Sequence, residues 1–105
     1  MFGDLFGNME EKQEEMRSRL AEMTVEAEAG DGAVKVTATA TREIVNLSID
    51  RSRLDWEDTE QVEDLVLTAI NRALELAAEK EAEETQKFLK DMMPPGFGGL
   101  EGLFG

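Results

Sequence analysis

Residues 59–93 read as one helix, and that helix is too long for the body such a chain can build. Val62, Leu65, Val66, Ala69, Ile70, Ala73, Leu74 and Ala77 form a broad apolar stripe suited to covering a sheet. Beyond it the stripe thins to Ala78, Ala82, Thr85, Leu89 and Met92, in alternating steps of four and three. Asp58 with Gln61 resembles a capping box at the start, and Pro94-Pro95 closes the end. At ~1.5 Å per residue the helix runs on the order of 50 Å. A compact domain of this size has a radius of gyration of ~13 Å, hence a diameter near ~34 Å. The second half of the helix must overhang.

Before it stand three strand signals. Val25, Ala27 and Ala29 oppose Glu26 and Glu28; Val34, Val36, Ala38 and Ala40 alternate with Lys35, Thr37, Thr39 and Thr41; Val45, Leu47 and Ile49 alternate with Asn46 and Ser48. Gly30-Asp31-Gly32 marks a tight hairpin between the first two. One face of this sheet is apolar, as an antiparallel sheet covered on one side requires. Its many alanines demand that the covering helix come close. Strands are expected at about 24–30, 33–41 and 44–50.

A shorter helix precedes the sheet. Phe2, Phe6, Met9, Met16, Leu20 and Met23 follow a heptad seam in which Gln13 fills a gap. Gly3, Gly7 and Asn8 weaken its start, which places the helix at about 9–23. It enters the sheet at its C-terminal end, while the long helix leaves at its N-terminal end. Both can therefore project to one side as an antiparallel arm. The expected fold is α+β in the order α-β-β-β-α, a single domain over residues 1–93. Residues 94–105 form a glycine-rich tail, expected to be flexible. A three-stranded sheet leaves edges open, and pairing with a second copy removes one of them. A homodimer is expected.

Composition limits the chemistry. The 105 residues contain no cysteine, histidine or tyrosine. That removes disulfides, zinc-thiolate sites, thiolate nucleophiles and the commonest general base. Glu10-Glu11, Glu14-Glu15 and Glu83-Glu84 are sequence neighbours whose side chains do not converge on a helix, and they read as solvated faces. No enzyme activity, metal site or cofactor is expected. The opening MFGDLFGNMEE has neither a basic region nor a long apolar run, so no signal peptide or membrane span is expected. The default location is the cytoplasm.

The net charge of −13 is uneven. Residues 56–105 hold 12 acidic side chains against 4 basic ones. Such a chain repels phosphate at long range unless cations cluster locally. Candidate cations are Lys12, Arg17 and Arg19 on the first helix and Lys80, Lys87 and Lys90 on the overhanging part of the last. Arg42, Arg51 and Arg53 make a possible second basic region near the third strand. Glu83, Glu84 and Asp91 lie among or beside the last three lysines, which favours ion pairs within the helix. Trp56 is expected to be a buried anchor where sheet meets helix.

Several stretches at these separations resemble the YbaB/EbfC family of nucleoid-associated proteins. They are Met1-Phe2-Gly3, Gly30-Asp31-Gly32-Ala33-Val34-Lys35-Val36-Thr37, Ile49-Asp50, Glu63-Asp64-Leu65-Val66 and Met93-Pro94-Pro95-Gly96-Phe97. The resemblance implies a tweezer-like homodimer whose helical arms flank a joined sheet, and which binds double-stranded DNA in the nucleoid. It further implies effects on DNA conformation, nucleoid organisation and gene expression. Members commonly place a proline after the Ile-Asp pair, where this chain has Arg51. Some carry basic residues where this chain has Val45 and Asn46. The alternative is an acidic protein-interaction module, its arms and MMPPGFGGLEGLF motif docking a protein partner without direct DNA binding.

Overall fold

The structure, a computed structural model, describes residues 2–92; the flexible tail expected at 94–105 lies outside the described residues. The chain runs α1 (Phe2–Glu22), β1 (Thr24–Ala29), β2 (Val34–Thr39), β3 (Ile44–Ile49), a single 3-10 turn (Arg51–Arg53) and α2 (Thr59–Met92). The strands form one antiparallel sheet in the order β1-β2-β3. The described chain measures 64 × 32 × 16 Å with a radius of gyration of 19.4 Å. The elongation follows from α2, whose 34 residues cannot fit within the body.

α2 lies over β1 and β2. Ala27, Ala29, Val34, Val36 and Ala38 from the sheet meet Ala69, Ala73 and Ala77 from the helix, and together they form the buried core. The three helix alanines recur every four residues and are fully buried. With only methyl groups between them, helix and sheet approach closely, and Val25, Leu65, Val66 and Ile70 seal the margins. Arg72 ties the layers together from outside, donating from Nη1 to the Glu28 carbonyl at 2.9 Å.

Both hairpins use left-handed backbone. Ala33 N–H donates to the Gly30 carbonyl at 3.1 Å, across a turn in which Asp31 and Gly32 have φ of 55° and 88°. Positive φ at both central residues matches the twist of the flanking strands. Gly30 is itself at φ 65°, and a Cβ there would stand 2.9 Å from Leu65 Cδ1. The second hairpin ends its turn on Arg42, at φ 68°. Arg42 N–H donates to the Thr39 carbonyl at 2.9 Å, and Thr39 N–H to the Glu43 carbonyl at 2.8 Å.

That second hairpin corrects the expected register. Val34 pairs with Ile49, Val36 with Leu47 and Thr37 with Asn46, but Ala38 pairs with Ile44 across a bulge. Ile44, not Val45, therefore joins Leu47 and Ile49 on the face shared with the core strands. Val45 is the extra residue, 52% exposed. The face itself is uncovered at β3, because α2 sits over the other two strands. Leu47 is 46% exposed.

α1 also departs from expectation. It begins at Phe2 rather than Met9, because glycine weakens a helix by about 1 kcal/mol without forbidding it. Gly7 stands in open space, where an added Cβ would meet nothing. The far end of α1 is anchored. Ala40 N–H donates to the Leu20 and Met23 carbonyls at 3.2 and 2.9 Å, and Leu20 is buried.

Where α2 leaves the sheet, its inward stripe continues through Ala77, Glu81, Glu84 and Phe88, not through Ala78, Ala82, Thr85 and Leu89. Steps of four and three starting from Ala77 keep the stripe on the side already facing the body. Phe88, absent from the stripe read in the sequence, is the half-buried aromatic near α1.

The start of α2 is half a capping box. Asp58 Oδ1 accepts from Gln61 N–H at 3.2 Å, while Asp58 N–H donates to the Asp55 carbonyl at 3.0 Å. Asp58→Ala is expected to remove about 1 kcal/mol of stability and lower Tm by about 4–8 °C in a circular-dichroism melt. An unchanged Tm would mean that water serves this helix end equally well.

Candidate nucleic-acid interface

The candidate cations fall into different settings. Lys80 and Lys87 are committed to neighbours: Lys80 Nζ lies 3.5 Å from Glu84 Oε1, and Lys87 Nζ lies 3.4 Å from both Glu83 Oε1 and Glu84 Oε1. Partial burial pushes the Glu84 carboxyl up, but hydrogen bonds and charge from Lys87 and then Lys80 outweigh it and hold the group below its ordinary value. Lys87 is raised, first by its hydrogen bond to Glu84. Lys90 lies exposed near the end of α2. Lys80 and Lys87 screen the carboxylates of their own helix, as the spacing in the sequence suggests.

Arg42, Arg51 and Arg53 do not share one region of the protomer. Arg42 sits at the β2–β3 hairpin, with Nη2 3.7 Å from Glu81 Oε1. Arg51 and Arg53 stand at the opposite end of β3. Arg53 donates from Nη1 to the Asp31 carbonyl at 2.7 Å, and its Nε lies 3.2 Å from Asp50 Oδ2. Asp50 closes this turn with Arg51, not a proline, after it, accepting from the Ser52 backbone N–H at 3.0 Å and hydroxyl at 2.6 Å. The Ser52 hydroxyl, then its N–H, holds the Asp50 carboxyl below the usual range. Trp56, expected to be buried, is 45% exposed, with the Arg51 guanidinium carbon 5.2 Å from its ring centroid. The short segment before α2 leaves the indole outside the core, and the cation covers its face instead.

On α1, Lys12, Arg17 and Arg19 make no ion pair with any described residue, and all three are exposed. Lys12 and Arg19, seven residues apart, lie on one face of the helix, and Arg17 lies on another. Arg19 lines a cleft with Glu84, Lys87 and Asp91 on one side of the contact between α1 and α2. Arg17 lines the cleft on the other side, together with Arg42. Met16, Leu20 and Phe88 line both clefts, which marks them as the ridge between the two helices. Tertiary structure thus places two arginines that lie far apart in the chain on the walls of one cleft.

Among the described residues there is no group of three or more acidic side chains placed to hold a metal ion, and no helix long and apolar enough to cross a membrane. The arrangement is one of surfaces: an acidic arm with local cations at its root, and an open apolar strand.

Comparison with known proteins places this architecture. The profile of the YbaB/EbfC DNA-binding family matches residues 2–92, which is every residue described above. The chain belongs to the YbaB/EbfC DNA-binding family. Within the YbaB/EbfC family it is similar to a nucleoid-associated protein of Moorella thermoacetica, 44% identical over 78% of this chain and 79% of that relative. It is also similar to the nucleoid-associated protein THEYE_A1069 of Thermodesulfovibrio yellowstonii, 40% identical over 100% of this chain and 95% of that one. The fold is shared with the crystal structure of uncharacterized protein HP0035 from Helicobacter pylori. That match has a TM-score of 0.72 at 23% identity, and covers 84% of this chain and 92% of that one.

Proposed function

We propose that this protein is a bacterial nucleoid-associated protein that grips duplex DNA as a homodimer, through the backbone and shape of the duplex rather than its base sequence. The observation that carries this reading is the pairing of an overhanging two-helix arm with a sheet whose third strand is apolar and uncovered. Joining two copies through β3 would extend the sheet, bury Ile44, Leu47 and Ile49, and set two arms on one body. Family membership supplies DNA as the partner. No part of the described surface presents the donor-rich recognition helix that reading base edges calls for, so contacts to phosphate and duplex shape fit better.

The charge sets the form of binding. At −13 per protomer, long-range attraction to DNA is absent, and binding rests on a few local cations. The protein is expected to shift random duplex DNA at low salt, with log affinity falling by about 0.9 per phosphate contact for each unit of log salt. A gel-shift or anisotropy series from low to physiological salt measures this, and no binding at the lowest salt would sink the reading. The carboxylate-covered arm favours one other reading, a module that docks a basic protein. Failure to bind DNA would promote it.

A further inference from the structure

The root of the arm carries a notch with the features of a phosphate site. Arg17 on α1 and Arg42 on the β2–β3 hairpin line a cleft of ≈ 660 Å³, with Gln13, Thr41 and Thr85 on its walls. Met16, Leu20, Phe88 and Leu89 supply an apolar floor. Glu81 is the one carboxylate among the lining residues, so guanidiniums outnumber acids two to one. Two other clefts on the arm, among the described residues, do not share this balance. The one around Arg19 and Lys87 also holds Glu84 and Asp91, and the one along the outer face of α1 sets Glu11, Glu14 and Glu15 against Arg19. In a chain this acidic, a local cationic excess is the exception.

Arg42 adds a second, independent observation. Its φ of 68° is the left-handed conformation that ends a short hairpin turn, where glycine is the residue of least strain. An arginine there carries backbone strain that glycine would avoid, and strain of this kind is a reason to suspect function. Its described partner is Glu81 at 3.7 Å, in a pair whose arginine side chain is 59% exposed. An exposed pair at that distance is weak and exchanges readily for a better anion.

We propose that this notch holds a phosphodiester group of the DNA backbone. Arg17 and Arg42 would grip the phosphate oxygens, Thr41 would add a hydroxyl, and the sugar would lie against Met16 and Leu89. Planar guanidiniums suit this task because each can present two parallel N–H donors to a phosphate. The proposal rests on the DNA-binding reading above and names the residues that carry it. It sets aside Lys80 and Lys87, whose charges already serve Glu83 and Glu84.

The test is duplex-DNA anisotropy over a salt series with the full chain and two double variants of equal net charge. Arg17→Ala/Arg42→Gly empties the notch, and glycine suits the backbone at position 42, so the fold should survive; a melt checks this. Lys80→Ala/Lys87→Ala removes the same charge elsewhere. The notch variant is expected to bind on the order of tenfold more weakly or worse, since removing one charge-assisted hydrogen bond to phosphate has about that effect. Its salt slope should flatten by about 0.9 for each notch that engages a phosphate. The lysine variant should keep the parent slope. Equal losses in both variants, or an unchanged slope in the notch variant, would overturn the notch and leave DNA binding standing. No binding by the parent chain would overturn both.

Discussion

Ala73→Leu is expected to lower stability by about 1–3 kcal/mol, and Tm by roughly 10–20 °C at the upper end of that range. Ala73 is fully buried between α2 and the sheet, with Ala69 and Ala77 one turn to either side and Val34 and Val36 in the same core. A leucine has no void to enter, so it must lift the helix off β1 and β2 and loosen the packing of both neighbouring alanines. Stability of a domain this size is ordinarily about 5–15 kcal/mol, so the loss is a large fraction of the whole. A thermal melt followed by circular dichroism reads it directly. The same change at Ala78, exposed on the next position of the helix after Ala77, serves as the control and should leave Tm nearly unmoved. Similar melts for the two variants would mean that the alanine row does not set the spacing between helix and sheet.

Leu47→Lys tests the other surface. Leu47 stands on the apolar face of β3 beyond the reach of α2, so lysine there does little harm to a single protomer. In a pair joined through β3 the position occurs twice. Burying each leucine is worth about 1.5–3 kcal/mol, so replacing both weakens association by a factor of about a hundred or more. Sedimentation across a dilution series should show a dimer for the parent chain and a monomer for the variant at the same concentration. DNA affinity should fall with it, since one arm alone cannot close around a duplex. A variant that still sediments as the parent does would move the interface away from β3.

Much of the architecture can be read from residue types in order. Gly30 to Gly32 specify the first hairpin because glycine reaches positive φ without strain, and Asp58 announces the start of α2 because its carboxylate serves an orphan N–H. The alanines of sheet and helix foretell a close approach. The errors arise where the decisive fact is not local. Nothing in Ile44-Val45 announces a bulge; it follows from a hairpin turn that ends on left-handed Arg42, where no glycine marks the spot. Phe88 escapes a reading by periodicity because the inward stripe runs on from Ala77 through the charged Glu81 and Glu84, while the small and apolar residues Ala78, Ala82 and Leu89 stand one position further along. Trp56 runs against expectation because a large aromatic usually finds a core, whereas here an arginine shields it. The cations are all visible as cations. Which of them line one cleft is not, since Arg17 and Arg42 come to share a cleft only through the packing of α1 against the root of α2.

No glycine or proline interrupts α2 between Thr59 and Met92, so the roof over the sheet and the outer half of the arm are a single stiff beam. It has no hinge of its own. Within the protomer, a change in the arm would have to come from α1 swinging on its anchor at Ala40. In the dimer proposed above, the reach of each arm would therefore be set by how this beam is seated on the sheet through Ala69, Ala73 and Ala77.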